Sequence, residues 1–393
     1  MRVADVSEFF SDFGGGVRTY VHQKLEAAAK AGVAMTVIAP GPADRREKRL
    51  GGEIVWVRSP VLPFDHRYHL FARKAPAHQL LDELRPDVIE GSSTWRGAWI
   101  ARSWRGPAAR ALFLHQDPVA VYPQSFLSPA LRADRVDQLF AGFWRYLATL
   151  SAGFDVTIAP SAVFARRLER RGVLRPFACP LGVDRALFNP GLRDEKVRLD
   201  MLAACGVRDA AAPLFVAVSR HHPEKRLPMM MRAFAKFSAG RAAALYLIGD
   251  GPLWRSVTAQ ARRIPGVAVA GPVTDRAIIA ARLASADYFV HGGAAETFGL
   301  VVAEALASGV PIIAPDQGGA SEFVHPAFGE AYRAGDADAL AAALSRVVAR
   351  DRRALGLAAR AGGHRLVAPS EHFASLFAVY GGLCDARRDR LAA

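Results

Sequence analysis

The sequence predicts an α/β protein made of two parallel-sheet domains, and three observations carry the prediction. Its 393 residues exceed what one hydrophobic core usually supports. Short β-rich runs alternate with Ala/Leu/Arg-rich segments of helical length from end to end, the pattern of parallel sheets covered on both faces. Apolar residues make up 51% of the chain, enough for two cores.

In chain order, a first strand leads into the run Phe13-Gly14-Gly-Gly16 and a helix from Val17 to Ala31. Strands follow at Met35–Ile38, Ile54–Val57, Asp87–Ile89, Ala111–Leu114 and Val156–Ile158. The alternation stops between about Pro180 and Pro213, where Leu181-Gly-Val-Asp184 through Pro190 is turn-rich and a charged segment follows. The domain boundary is therefore placed near residue 190: a first domain over 1–190, a second over 191–368, and a terminal segment over 369–393. The second domain has strands at Leu214–Val218, Leu245–Ile248, Val267–Val269, Tyr288–Val290 and Ile312–Ala314, with helices at Leu227–Ser238 and Ala337–Ala349. The terminal segment reads as a helix capped at Ser370 with an aromatic face, Phe373, Phe377 and Tyr380, followed by a charged tail.

Lys and Arg outnumber Asp and Glu by 51 to 37, a formal charge of +14 that favours phosphates, anionic membranes or nucleic acid as neighbours. Helix-turn-helix, zinc-finger and RNP patterns are lacking and the charge is dispersed, which argues against nucleic acid. Cys179, Cys205 and Cys384 lack metal-like spacing and predict reduced thiols. With neither a signal-like start nor an apolar run of membrane-spanning length, a cytoplasmic protein is expected.

Four segments carry candidate chemistry. The glycine run at Gly14–Gly16 opens a helix and suits an anion or hydroxyl, though a tight strand-to-helix turn explains it equally well; it departs from the dinucleotide fingerprint. Arg220 and Lys225 fall on the loop beyond a strand's carboxyl end, where open α/β sheets bind ligands; the plain alternative is a solvated basic loop. Glu296 and Glu304 bracket a Gly-containing turn into a helix, where acids and orphan N–H donors converge. Glu304 also fits as a helix-dipole partner, whereas Glu296 needs a hydrogen-bonding partner to be tolerated in its apolar setting. His115 ends a first-half strand; Asp117 either orients its ring or caps the Pro118 turn.

The order and spacing of Gly14-Gly-Gly16, Gly182-Val-Asp184, Ser219-Arg220 with Lys225, Gly249-Asp-Gly-Pro252, Glu296-Thr-Phe-Gly-Leu and Glu304-Ala-Leu-Ala-Ser-Gly resemble glycosyltransferase family 4 over nearly the whole chain, most specifically from Leu214 to Glu322. The motif style is similar to that of members that make glycolipids. The resemblance implies the GT-B fold, two Rossmann-like domains facing across a cleft with a C-terminal helix crossing back to the first, and retaining transfer from a nucleotide sugar. It implies that Arg220 and Lys225 neutralise the donor diphosphate, that Glu296 engages hydroxyls of the transferred sugar, and that Glu304 binds the ribose. Backbone N–H groups near Phe298, Gly299 and Leu300 would lie along the donor, and the loop near Gly249 would shape its pocket. Gly15 and Gly16 would approach the phosphates, and His115 the reacting sugar. Two features depart from the commonest pattern: Arg226 stands where relatives often have Gly, and His291 precedes the Glu296 turn, as in a subset with glycolipid-forming members.

Two cations on rigid strands would stabilise the departing diphosphate without a metal, so no cofactor is expected. Asp336-Ala-Asp338, the sole Asp-x-Asp, reads as a helix N-cap. A hexosyltransferase using a UDP- or GDP-sugar is the expected activity, with a lipid or glycolipid acceptor at the inner face of the cytoplasmic membrane. The expected membrane elements are Arg45–Arg49, Arg102–Arg105 with Trp104, the helix after Ser161 with Val163, Phe164 and Leu168, and the aromatic stretches Pro63–Tyr68 and Tyr122–Phe126. Solvated Arg-rich faces explain the basic elements equally well. A soluble or polysaccharide acceptor, and a nucleotide-sugar epimerase of the same fold, stay open.

Overall fold

The computed structural model describes residues 1–12, 16–63, 65–127 and 133–392. They divide into two compact units: one formed by Met1–His115, Phe140–Pro180 and Pro369–Ala393, the other by Gln116–Leu139 and Leu181–Ala368. The division in the chain thus falls at Pro180/Leu181, and the terminal helix belongs to the first unit.

The strands of the first unit are β1 (Arg2–Val6), β2 (Ala34–Gly41), β3 (Arg45–Arg49), β4 (Gly52–Arg58), β5 (Val61–Leu62), β6 (Asp65–His69), β7 (Val88–Gly91), β8 (Ala109–Phe113), β9 (Val156–Ala159) and β10 (Pro176–Ala178). Eight form one sheet in the order β10-β9-β8-β7-β1-β2-β4-β3, and β5 pairs with β6 in a separate hairpin. Strand order reverses between β1 and β7, the switch point at which ligands bind in such sheets. Pairing is parallel except at β3, which runs antiparallel to β4. This edge strand is the Arg45–Arg49 cluster itself: an all-charged sequence can close a sheet because an edge needs no apolar outer face. Arg45 and Arg49 reach Asp12 at 3.2 and 3.0 Å and Arg46 pairs with Glu83, so much of the cluster's charge is locally compensated.

Helix Gly16–Lys30 lays Val21 and Leu25 on the sheet. The terminal helix runs over Pro369–Ala392, taking in both Ser370 and the charged segment expected as a tail; Phe373, Phe377 and Tyr380 are all buried. Two expected membrane elements are corrected. Helix Ala162–Arg170 is capped by Ser161, which accepts from Phe164 N at 3.1 Å, but Phe164 and Leu168 are buried in the domain core. Its apolar stripe is therefore a packing surface, and Arg167 and Arg171 stack over Trp144. Trp104 is likewise buried, its indole N–H donating to Asp82 at 2.8 Å.

The second unit contains β11 (Leu214–Val218), β12 (Ala244–Ile248), β13 (Val267–Val269), β14 (Tyr288–Val290), β15 (Ile312–Pro315) and β16 (Gly329–Tyr332), all parallel, in the order β13-β12-β11-β14-β15-β16. Successive residues of β11 serve opposite cores: Leu214 and Val216 pack with Phe289 and Val302, Phe215 and Ala217 with Met230 and Phe234. Order again reverses at one place, between β11 and β14. Helix Glu195–Ala204 is fastened to the start of β14 by Arg198, whose guanidinium holds the Asp287 carboxylate at 2.8 to 3.1 Å and two backbone carbonyls besides. The excursion Gln116–Leu139 groups with this unit, its short turn Ser125–Leu127 lying beside Pro223–Lys225. Strand–helix alternation holds no signal for that placement.

Candidate active site

The reversal between β11 and β14 means that the loops leaving these strands diverge from adjacent carboxyl ends. The loop after β11 forms a single 3₁₀ turn, Pro223–Lys225, that closes with Arg226 in the left-handed region at φ 52°. The loop after β14 carries Glu296. Across the switch point, Lys225 Nζ donates to Glu296 Oε1, and Glu224 Oε1 lies 3.5 Å from the same ammonium. Arg220 extends toward Glu224 at 3.4 Å with its guanidinium mostly in solvent, and His291 Nε2 stands 3.4 Å from Glu296 Oε1.

The electrostatics fix the charge states. Burial would push the Glu296 carboxyl up, but Lys225 and His291 beside it outweigh that and hold it well below the usual carboxylate range. Burial likewise acts to strip the proton from Lys225, and Glu296 with Glu224 overrides it, raising the ammonium above its ordinary value. Glu296 is thus the hydrogen-bonded carboxylate its apolar setting requires.

Neighbouring loops buttress the pair. His221 N donates to Asp250 O at 2.6 Å, tying the Lys225 loop to the loop after β12, and Gly319 N donates to Glu296 O at 2.6 Å, tying the Glu296 loop to the loop after β15. Gly249 holds φ 131°, and a Cβ there would sit 2.0 Å from Ser219 O, so only glycine lets these loops touch. Its N–H already donates to Gly271 O at 2.9 Å, so Gly249 contributes space rather than a donor. Gly299, at φ 93°, turns the chain into helix Leu300–Ala307; Phe298 is buried edge-on against Phe323, and Leu300 opens the first turn, where backbone N–H groups lack intrahelical acceptors.

Glu304 lies one turn into that helix, buried, and Arg276 reaches its Oε1 at 2.6 Å. Burial raises its carboxyl, with Arg276 opposing. Asp336 accepts from Asp338 N and Ala339 N at 2.8 and 3.0 Å, the N-cap expected of the Asp-x-Asp. Three of the four expected catalytic and ribose-binding groups of the second half thus gather around two carboxylates, while Glu304 forms its own pair with Arg276.

The first-half candidates belong to the other unit. His115 follows β8, stacked 4.2 Å from Phe113 and edge-on to Tyr20; burial, with Lys24 and His372 nearby, lowers it to about 3, a neutral imidazole at physiological pH. Asp117 caps the turn by accepting from Ala120 N at 2.9 Å. Gly16 is the first residue of its helix, and Gly15 lies outside the described residues. Sequence reasoning missed Glu224, which sits within the basic motif next to Lys225, and Arg276, for which no local signal exists because its partner is 28 residues away.

A model of glycosyltransferase family 4 matches residues 14–187 and one of glycosyl transferases group 1 matches 212–350. A GDP-mannose-dependent alpha-mannosyltransferase of Mycolicibacterium smegmatis is 32% identical over 381 residues, covering 92% of both chains. A GDP-mannose-dependent alpha-(1-6)-phosphatidylinositol dimannoside mannosyltransferase of Mycobacterium tuberculosis is 28% identical over 80% of this chain and 79% of its own. Among solved structures, sucrose-phosphate synthase from Thermosynechococcus elongatus superimposes with a TM-score of 0.77 at 21% identity, over 98% of this chain and all of that one. HepE from Anabaena, in complex with UDP, gives 0.72 at 16% over 97% and 100%. With matching models on both halves and a relative alike along almost its full length, the chain belongs to glycosyltransferase family 4 and is a hexosyltransferase of the GT-B fold.

Proposed function

We propose that this enzyme transfers a mannosyl unit from GDP-mannose, with retention of configuration, to a hydroxyl of a lipid or glycolipid at the cytoplasmic face of a membrane. The observation that carries the donor site is the Lys225–Glu296 pair spanning the switch point of the second sheet. The donor identity is supported by the GDP-mannose dependence named for relatives that match over most of this chain.

In this reading the diphosphate lies against Lys225 and Arg220, and Glu296 accepts from a hydroxyl of the sugar. The C1–O bond to phosphate breaks, a C1–O bond to the acceptor forms on the same face, and the acceptor's proton passes to the leaving phosphate oxygen. The cations stabilise the charge that develops on that phosphate, so no metal and no protein base is assigned. Glu304 takes the ribose, the N–H groups at Phe298, Gly299 and Leu300 run along the donor, and Gly249 shapes its pocket. For Gly15, Gly16 and His115 the family resemblance alone supports the expected roles.

A lipid acceptor is supported by relatives named for glycolipid products, including an alpha-monoglucosyldiacylglycerol synthase of Streptococcus pneumoniae. It is also supported by the excursion Gln116–Leu139, which exposes Tyr122, Phe126 and Leu139. Among the described residues no helix is long and apolar enough to cross a membrane. Screening UDP- and GDP-sugars for turnover and for a shift in melting temperature tests the donor: GDP-mannose should act on both, and preference for a UDP-sugar would overturn the assignment. Flotation with anionic vesicles at low salt tests the membrane; absence of binding would favour a soluble or polysaccharide acceptor. Release of an epimer from the donor alone would favour an epimerase.

A further inference from the structure

Glu296 receives its basic partners on one oxygen. Lys225 Nζ donates to Oε1, His291 Nε2 stands 3.4 Å from the same Oε1, and among the described residues none bonds Oε2. His291 is itself fixed in place. It follows β14, its N–H donates to Ile313 O at 2.8 Å, its carbonyl accepts from the Tyr332 hydroxyl at 2.7 Å, and its ring lies parallel to Phe289. The side chain is 3% exposed, and Nε2 forms no closer bond among the described residues. A buried imidazole nitrogen requires a partner, and the carboxylate is the group in reach.

We propose that His291 is a positioning residue for Glu296: with Lys225 it pins Oε1, so that Oε2 alone is presented to a hydroxyl of the transferred sugar. A carboxylate free to rotate about its last torsion would offer either oxygen in many planes. Held at one oxygen from two directions, it offers a single acceptor in a fixed plane, the preorganisation that transfer geometry demands. The tautomer follows: Nε2 carries the proton directed at Oε1. The inference rests on the donor-site reading above and adds to it a determinant that acts on the sugar rather than on the diphosphate.

The test uses the full chain, with GDP binding followed by calorimetry and kcat and KM measured with GDP-mannose. H291F keeps a ring but removes the donor; it should bind GDP within about twofold of the parent while kcat falls roughly tenfold or more. H291Q, whose amide extends toward the position of Nε2, should recover most of the loss, and H291N, which is too short, should not. Unchanged kcat in H291F, or equal impairment in H291Q and H291N, overturns the proposal while leaving the donor site standing. If H291F does not fold, the Gln and Asn pair decides alone. K225A separates the two levels: intact GDP binding and turnover in that variant would bring down the donor-site reading and this inference with it.

Discussion

Each half of the molecule holds a lysine ammonium between two acidic side chains beside the switch point of its sheet, and the two clusters differ in what surrounds them. In the first unit Lys24 Nζ lies 3.2 Å from Asp5 Oδ2 and 2.5 Å from Glu90 Oε2, the two acids being register partners on β1 and β7. Ser92 Oγ bridges the remaining oxygens, 2.6 Å from Asp5 Oδ1 and 2.5 Å from Glu90 Oε1, and Tyr380 from the terminal helix donates to Glu90. All four carboxylate oxygens are engaged and the lysine is 0% exposed. In the second unit Lys225 is 15% and Glu296 21% exposed, and no group among the described residues bonds Oε2 of Glu296. The same three side-chain types make a clasp where every carboxyl oxygen is engaged and a site where, among the described residues, Oε2 of Glu296 and Oε2 of Glu224 are not.

The largest effects should come from removing each lysine, and they should fall on different observables. K225A should lower kcat by about 100-fold or more with little change in denaturation midpoint, because in the proposed reaction the ammonium meets the charge that develops on the leaving phosphate. K24M strands the buried Asp5–Glu90 acid pair without its cation and should destabilise by roughly 3–5 kcal/mol in chemical denaturation. Equal destabilisation by both substitutions would erase the distinction between clasp and site.

Next in size is G249A, expected to destabilise by roughly 2–3 kcal/mol and to raise KM for the donor, since a methyl 2.0 Å from Ser219 O must drive apart the loops that seat the cation pair. An unchanged melting temperature would show that the two loops are not jointly held.

The clasp itself can be read through pH. Ser92 has one hydroxyl proton for two carboxylates, so the short contacts on both sides require a proton on one of the acids. That acid is Glu90, which burial, reinforced by Asp5 and opposed by Lys24, raises to about 7. Its folded value lies above its ordinary 4.5, so the folded state holds the proton longer, and this group's stabilisation is complete below about pH 4.5 and declines up to about pH 7. The buried imidazoles His115 and His372, lowered to about 3 and 4, act with the opposite sign between pH 4 and 6.5. The difference in unfolding free energy between parent and E90Q isolates Glu90: it should shift against the parent by on the order of 2 kcal/mol between pH 5 and 7. A flat difference would mean that Glu90 is already ionised.

What could be read from sequence follows from which interactions are local. Strand runs such as Leu214–Val218 and the turn into helix Leu300–Ala307 announce themselves by periodicity and glycine placement, so sheet class and the loops bearing Lys225 and Glu296 were legible. Arg45–Arg49 was not legible as a strand, because an edge pairs by backbone alone and leaves no apolar alternation. Nor were the Lys24 clasp and the Arg276–Glu304 pair, whose members meet only after folding brings them from separate elements. The stripe Phe164/Leu168 was ambiguous in principle: an apolar helix face looks the same whether a membrane or a sheet covers it.

The smallest expected effect sharpens the comparison from the other side, by asking what in the open site is dispensable. Arg226 occupies φ 52°, ψ 34°, a left-handed position that suits glycine, the residue many relatives carry there by the resemblance. Replacing it with Gly relieves local backbone strain but widens the unfolded ensemble, two terms of about 1 kcal/mol with opposite signs. R226G should therefore melt within about 1 kcal/mol of the parent and keep its turnover, since the turn that aims Lys225 at Glu296 is retained. R226V, β-branched in the same left-handed position, should destabilise by roughly 1–2 kcal/mol and lower turnover through the misplaced lysine. If R226G instead lost activity as K225A does, the guanidinium itself would belong to the site, and the cation pair at the switch point would have to be redrawn as three.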